Sequence, residues 1–270
     1  MYRVHFLYFE PGTFGNVPFL SPMPDQVILR IKRQESPAAK PYWEEYRLAY
    51  RPYLNVIACL QETRKTLRTF DGRPTTPIAW ESSCLEEVCG ICTMVINGRV
   101  RQACSTLVDH LTQPITVESM TKFPLVRDLV VDRSVMFQNL RRIKAWVPLK
   151  DTQDPSPGPK ILPKDQQINY ALSRCFTCGA CLEVCPQVNE RNSFVGAAIL
   201  SQARLFNRHP LGKEIQVERL KALTAEGGIE DCGNAQNCLQ VCPKEIPLVD
   251  SIAEINREIT FNLIRLVKGS

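Results

Sequence analysis

Cysteine spacing constrains this chain more than any other feature. Twelve cysteines occur, at positions 59, 84, 89, 92, 104, 175, 178, 181, 185, 232, 238 and 242. They fall into three groups and one isolated residue, a pattern that points to metal ligation rather than to a disulfide framework. The opening, MYRVHFLYFE, has no basic flank, long apolar run or small-residue cleavage site, so no secretory signal is expected. The longest uncharged stretch, Pro11 to Pro24, contains four prolines and two glycines. It is too short to span a bilayer, which takes roughly 20 apolar residues, and no membrane-crossing segment is expected. A hydrophobic fraction of 44% suits a folded chain, and a net charge of +5 is too small to argue for nucleic acid.

The first group is Cys84, Cys89, Cys92 and Cys104, spaced C-x4-C-x2-C-x11-C. This is the order of plant-type [2Fe–2S] sites, with three thiolates on one loop and the fourth beyond a strand. Gly90 lets the loop curl and aim N–H groups at sulfur. A structural zinc site also uses four cysteines, but usually as two separated pairs. Crowding three thiols on one loop favours the cluster.

The second group, CFTCGACLEVCP, holds Cys175, Cys178, Cys181 and Cys185 in the C-x2-C-x2-C-x3-C-P run of bacterial ferredoxins. Pro186 stops helical continuation there. The third, CGNAQNCLQVCP, holds Cys232, Cys238 and Cys242 at the same offsets, with Ala235 at the remaining one. Both runs share C-L-x-V-C-P, so this is an internal repeat that has lost one ligand. In ferredoxins of this type the fourth thiolate of each run serves the other cluster. Cys175, Cys178, Cys181 and Cys242 then suit a [4Fe–4S] cluster, and Cys185, Cys232 and Cys238 are left as a three-thiolate site. A [3Fe–4S] cluster is its natural occupant, with an oxygen-ligated [4Fe–4S] cluster as the alternative. Cys59, in LNVIACLQETRKTL, reads as a buried thiol: Leu54, Ile57, Cys59, Leu60 and Leu67 do not all fall on one tight stripe, but most suit a buried helix side.

The pattern around these runs predicts an α+β chain of two domains. Residues 1–24 form an extension with a possible strand at VHFLYFE. Residues 25–122 form a β-grasp [2Fe–2S] domain, with strands Val27–Lys32 and Glu44–Tyr50, a helix opened by Pro52 and running to Leu67, and turn chemistry at 69–75. Strand Thr93–Ile96, an Asn97-Gly98 turn and a return strand to Cys104 complete it. Residues 123–270 form a helical two-cluster domain. Helical spacing covers 134–146 and Leu248–Lys268, a Pro-rich connector follows Lys150, and Gly227-Gly228 breaks the chain before the third group.

One plant-type site followed by a two-cluster unit lacking one ligand resembles the iron–sulfur subunit of succinate dehydrogenase and fumarate reductase. The resemblance runs from about residue 25 to the end and spans all eleven ligands. It implies [3Fe–4S] at Cys185, Cys232 and Cys238. It further implies electron transfer from the covalent FAD of a flavoprotein subunit through [2Fe–2S], [4Fe–4S] and [3Fe–4S] to a quinone at a haem-bearing membrane anchor. The chain itself would lie peripherally on the cytoplasmic face of the membrane and contain no dicarboxylate site. Ubiquinone-reducing members carry a tryptophan and a histidine where this chain has Glu190 and Gly233. The pattern here is closer to menaquinone-linked members, and Pro186 and Gly233 flank the expected quinone end.

Other readings are a fumarate reductase subunit running in reverse, another carrier such as a heterodisulfide reductase-like subunit, and a zinc-stabilised binding module without redox chemistry. Ala235 argues against carriers that keep both runs complete. His5, His110 and His209 stand beside no ligand run and read as surface or packing residues. The basic stretch Arg204, Arg208, Lys213, Arg219 and Lys221 reads as a solvated helix face, with a lipid-facing patch as the alternative.

Overall fold

The computed structural model describes residues 25–148 and 158–268, with side chains through 265. The possible strand at VHFLYFE and most of the Pro-rich connector lie outside the described residues.

Alternation builds the first unit. In β1 (Gln26–Arg33), Val27, Leu29 and Ile31 all point inward and are fully buried, while the residues between them face out. β1 pairs antiparallel with β2 (Tyr42–Ala49), with Leu29 opposite Tyr46. β3 (Thr93–Ile96) and β4 (Arg99–Gln102) form a hairpin closed by Asn97 and Gly98, at φ 48° and 72°. Positive φ at both positions is what a tight two-residue turn requires. β5 (Ile115–Glu118) runs parallel to β1 and antiparallel to β3, which gives a five-stranded sheet in the order β2-β1-β5-β3-β4. This central strand was not among the expected elements.

One helix, α1 (Val56–Thr66), buries Val56, Ile57, Cys59 and Leu60 in the core shared with Leu29, Ile31, Ile115 and Val117. A mixed sheet with a helix against it is the expected β-grasp arrangement. The helix starts later than expected. Tyr53 adopts φ 64° after Pro52, and Asn55 provides the cap by accepting the Ala58 N–H at 2.8 Å. Leu67 ends the helix in a left-handed conformation and is exposed rather than part of the buried side.

The apolar row of β1 ends in Arg33, whose side chain is completely buried. It donates to Asp128 at 2.9 and 3.3 Å and to Glu44 at 2.5 Å. Burial opposes its charge, but the hydrogen bond to Asp128 and the charges of Asp128 and Glu44 more than offset this and raise its pKa. Asp128 lies between β6 (Leu125–Arg127) and β7 (Val130–Val131), and its carboxylate also accepts the Gln34 and Ala79 N–H groups.

The second unit is built around α5 (Ala197–Arg208), which is buried on most sides. α3 (Pro163–Ser173), α2 (Ser134–Arg142) and α8 (Leu248–Lys268) pack against it. Ile252, Ile255 and Ile259 form the inward stripe of α8. α2 stops at Arg142, four residues before the helical spacing does, and Lys144 takes φ 53°.

The basic stretch is not a solvated or lipid-facing surface. Arg204 and Arg208 pair with Glu254 at 2.6 and 3.0 Å, and Arg208 also reaches Asp165 at 2.6 Å. Arg219, which follows the start of α6 (Gln216–Leu223), is fully buried and donates to Asn207 and to the carbonyls of Lys144, Trp146 and Gly212. Only Lys213 and Lys221 are exposed. Helical periodicity alone could not show that acceptors come from elements far away in sequence.

The two units share a junction. Val100 of β4, Met120 and Phe123 belong to the helical core, while Leu129 belongs to the sheet core. The Glu183 carboxylate, at the end of α4 (Ala180–Glu183), accepts the Thr121 N–H at 2.9 Å and the Lys122 N–H at 3.0 Å. Asp128→Ala would strip Arg33 of its main partner. A stability loss of about 3–5 kcal/mol in chemical denaturation is expected; a loss below about 1 kcal/mol would contradict this role.

Candidate metal centres

Residues 84–92 form a loop curled by positive φ at Leu85 (62°), Glu87 (54°) and Gly90 (70°). The curl turns successive N–H groups inward. Cys84 Sγ accepts from Glu86 at 3.4 Å and from Val88 and Cys89 at 3.3 Å, and Cys104 Sγ accepts from Glu87 at 3.4 Å. The three N–H groups lower the Cys84 thiol to about 6, because they stabilise its thiolate. Cys92, buried beside the sheet, is pushed the other way by desolvation, to about 12.

Cys104 follows β4 and is anchored from α1: Asn55 Nδ2 donates to its carbonyl at 2.9 Å, and the Val56 N–H donates to Thr106 at 3.1 Å. The cap of α1 thus holds the fourth thiol in place. Gly90 adds a role that the cysteine spacing could not reveal. A Cβ there would lie 2.4 Å from the Phe176 ring and 2.7 Å from Cys178 Cβ, so the first loop presses directly on the second cysteine group.

Cys175, Cys178, Cys181 and Cys242 line one cavity, whose mostly apolar walls include Met136, Phe176 and Leu248. Desolvation raises the thiols of Cys175, Cys178 (to about 11) and Cys181 (well above the ordinary value). Cys242 Sγ accepts the Ile246 N–H at 3.5 Å.

Cys185, Cys232 and Cys238 line a separate cavity, together with Ala235. α4 and α7 (Asn237–Val241) pack together between the two cavities. Burial, followed by the neighbouring Cys185, raises the Cys238 thiol. The rim carries the neutral amides of Gln187, Asn234, Gln236 and Asn237.

Among the described residues, no three His, Cys, Asp or Glu side chains converge as they would on a single ion. The thiols instead surround cavities. Soft sulfur donors, apolar walls and N–H groups aimed at sulfur suit iron–sulfur clusters. Because the buried thiols hold their protons, ligation must displace them, which couples cluster binding to proton release.

Pro186 is exposed on the rim of the three-thiol cavity, as is Gly233. A Cβ on Gly233 would meet Gln187 Nε2 at 2.6 Å. Glu190 is exposed at the tip of a two-stranded hairpin, β8 (Val188–Asn189) and β9 (Asn192–Ser193). His110 is exposed, His209 is partly buried, and His5 lies outside the described residues. Cysteine spacing carried no signal for two further residues at these sites, Arg133 and Gln187. Arg133 donates to the carbonyls of Gly90 at 2.8 Å and Ile91 at 2.6 Å. Burial lowers its pKa, opposed by Glu81 and then by Cys178, Cys92 and Cys89.

The fold and its thiol sets define an iron–sulfur protein with a plant-type domain followed by a dicluster domain. Two family models agree: a 2Fe-2S iron-sulfur cluster binding domain over residues 28–138 and a 4Fe-4S dicluster domain over 171–246. The chain is 51% identical to the succinate dehydrogenase iron-sulfur subunit of Bacillus subtilis, over 92% of this chain and 99% of that one. It is 30% identical to the fumarate reductase iron-sulfur subunit of Wolinella succinogenes, over 83% and 92%. A chain of the Mycobacterium smegmatis Sdh1 complex shares the fold, with a TM-score of 0.72 and 24% identity over 88% of this chain and 96% of that one. This chain therefore belongs to the family of succinate dehydrogenase iron–sulfur subunits.

Cys59 lies in the sheet core, fully buried, and burial pushes its thiol to about 12. An unfolded thiol titrates near 8.5. Its contribution to stability is complete below about pH 8.5 and lost progressively as pH rises towards 12, where the unfolded thiol alone is ionised. At pH 8, iodoacetamide should leave Cys59 unmodified in the native protein and modify it after unfolding, as read by peptide mass. Modification of native Cys59 at the free-thiol rate would contradict its burial.

Proposed function

We propose that this chain relays electrons singly from the FAD of a flavoprotein subunit to a quinone, with succinate oxidised on the flavoprotein. In this reading Cys84, Cys89, Cys92 and Cys104 hold [2Fe–2S]. Cys175, Cys178, Cys181 and Cys242 hold [4Fe–4S], and Cys185, Cys232 and Cys238 hold [3Fe–4S]. When bound, these clusters supply the one-electron steps between a two-electron donor and the quinone. The chain's own residues set the order of the sites. Gly90 brings the first loop against Cys178, and α4 places Cys181 and Cys185 on neighbouring cavities. That continuous packing is the observation that carries the proposal.

The sites fall in two proposed domains, 25–122 and 123–270, with 1–24 as an extension. The junction already described joins them. Among the described residues no helix is long and apolar enough to cross a membrane. Attachment is proposed through a haem-bearing anchor subunit at the cytoplasmic face. The higher identity to a succinate dehydrogenase subunit than to fumarate reductase subunits favours succinate oxidation as the working direction. The two iron–sulfur family models argue against a zinc-stabilised module.

Menaquinone is the proposed acceptor, beside Pro186 and Gly233. The contact between Gly233 and Gln187 supports this placement, because a side chain at 233 would displace an amide at the cavity rim. Gly233→Ala in the purified complex should slow quinone reduction severalfold and leave succinate-driven reduction of an artificial dye unchanged. Equal quinone kinetics in the variant and the wild type would count against the site.

Ala235 occupies the offset at which the repeat has lost its ligand. Ala235→Cys should convert the three-iron site to four irons, with loss of the oxidised-state EPR signal of the three-iron centre. An undiminished signal, with the variant's iron content unchanged, would contradict the assignment of Cys185, Cys232 and Cys238.

A further inference from the structure

Arg133 stands immediately before α2 and reaches back to the first cysteine loop. Its two terminal nitrogens grip the Gly90 and Ile91 carbonyls, both between Cys89 and Cys92. These neutral acceptors fix the guanidinium without cancelling its charge. Among the described residues no carboxylate lies within ion-pairing distance, and its buried Nε has no hydrogen-bond partner. The charge interacts with the more distant and exposed Glu81, and with Cys178, Cys92 and Cys89. It therefore acts on thiols from two different sites, at the point where Gly90 packs on Cys178. Lys244 is a further cation nearby, 5.4 Å from the Phe176 ring, and it lines the four-thiol cavity.

We propose that Arg133 is the positioning and potential-setting residue of the junction between the first two centres. Its fork holds the 90–91 backbone against Cys178, and its charge favours the reduced form of both centres. An added electron is a negative charge, and a nearby cation shielded from water stabilises it. With clusters bound, the electron given up by the first centre would be the one taken up by the second, so no bond breaks and Arg133 keeps its proton. Raising both potentials together leaves the difference between them, and so the driving force of the first transfer, little changed. This inference rests on the relay proposed above.

The test is a potentiometric EPR titration of the purified complex carrying Arg133→Met, Arg133→Lys or Glu81→Gln. In Arg133→Met with wild-type iron and sulfide, the reduced-to-oxidised ratio of both centres at a fixed potential should fall about tenfold, equivalent to 59 mV for a one-electron couple. Arg133→Lys, which keeps the charge, should restore most of that loss. Glu81→Gln removes an exposed opposing charge and should move both potentials upward by a smaller amount. Unmoved potentials in Arg133→Met with intact clusters would overturn the proposal. So would an equal shift of the first centre alone in the Met and Lys variants, since that marks loop distortion. If Arg133→Met loses its clusters, Arg133→Gln, which drops the charge but can still donate to a backbone carbonyl, decides: lowered potentials at both centres support the proposal, and unmoved potentials overturn it. Absence of iron from the wild-type complex would instead sink the relay itself.

Discussion

A sulfur donor buried in an apolar wall keeps its proton unless a cation or a set of N–H groups takes its place. That conflict between burial and charge governs the architecture. Cys92, Cys178, Cys181 and Cys238 are all held protonated by desolvation. Cys84, on the exposed side of its loop and ringed by backbone N–H groups, is the reverse case. Ligation resolves the conflict, because iron replaces the protons and its charge is shared over several sulfurs. The cavities that clusters would fill are lined by residues of α4, α5 and α7.

The surrounding polar structure keeps these donor sets in register. Asn55 ties the start of α1 to Cys104, Glu183 ties α4 to the 121–122 backbone, and Arg133 ties the segment before α2 to the first loop. Each joins segments that lie far apart in sequence. The Arg33–Asp128 pair does the same for the sheet and the segment leading out of it.

The thiol groups and the β-grasp strands were legible because both are local. Fixed spacing defines a ligand loop, and alternation in Val27–Lys32 defines a half-buried strand. β5 was not legible: four residues, ITVE, are too short to stand out, and their strand state comes from parallel pairing with β1. The start of α1 was misplaced because Pro52 is a common opener, yet Asn55 had the capping side chain. Arg204, Arg208 and Arg219 looked like a solvated face because their acceptors, Glu254, Asp165 and the Lys144 carbonyl, lie far away in sequence. Arg133 was invisible for the same reason, since nothing in its neighbourhood marks a contact with Gly90.

The central claim is that three sulfur-ligated centres of different nuclearity stand in one packed row. EPR spin quantitation of the purified complex, combined with iron and acid-labile sulfide analysis, tests it most directly. One [2Fe–2S], one [4Fe–4S] and one [3Fe–4S] centre per chain is the expected result. A colourless zinc protein, or a chain whose third centre accounts for four irons in the wild type, would contradict it.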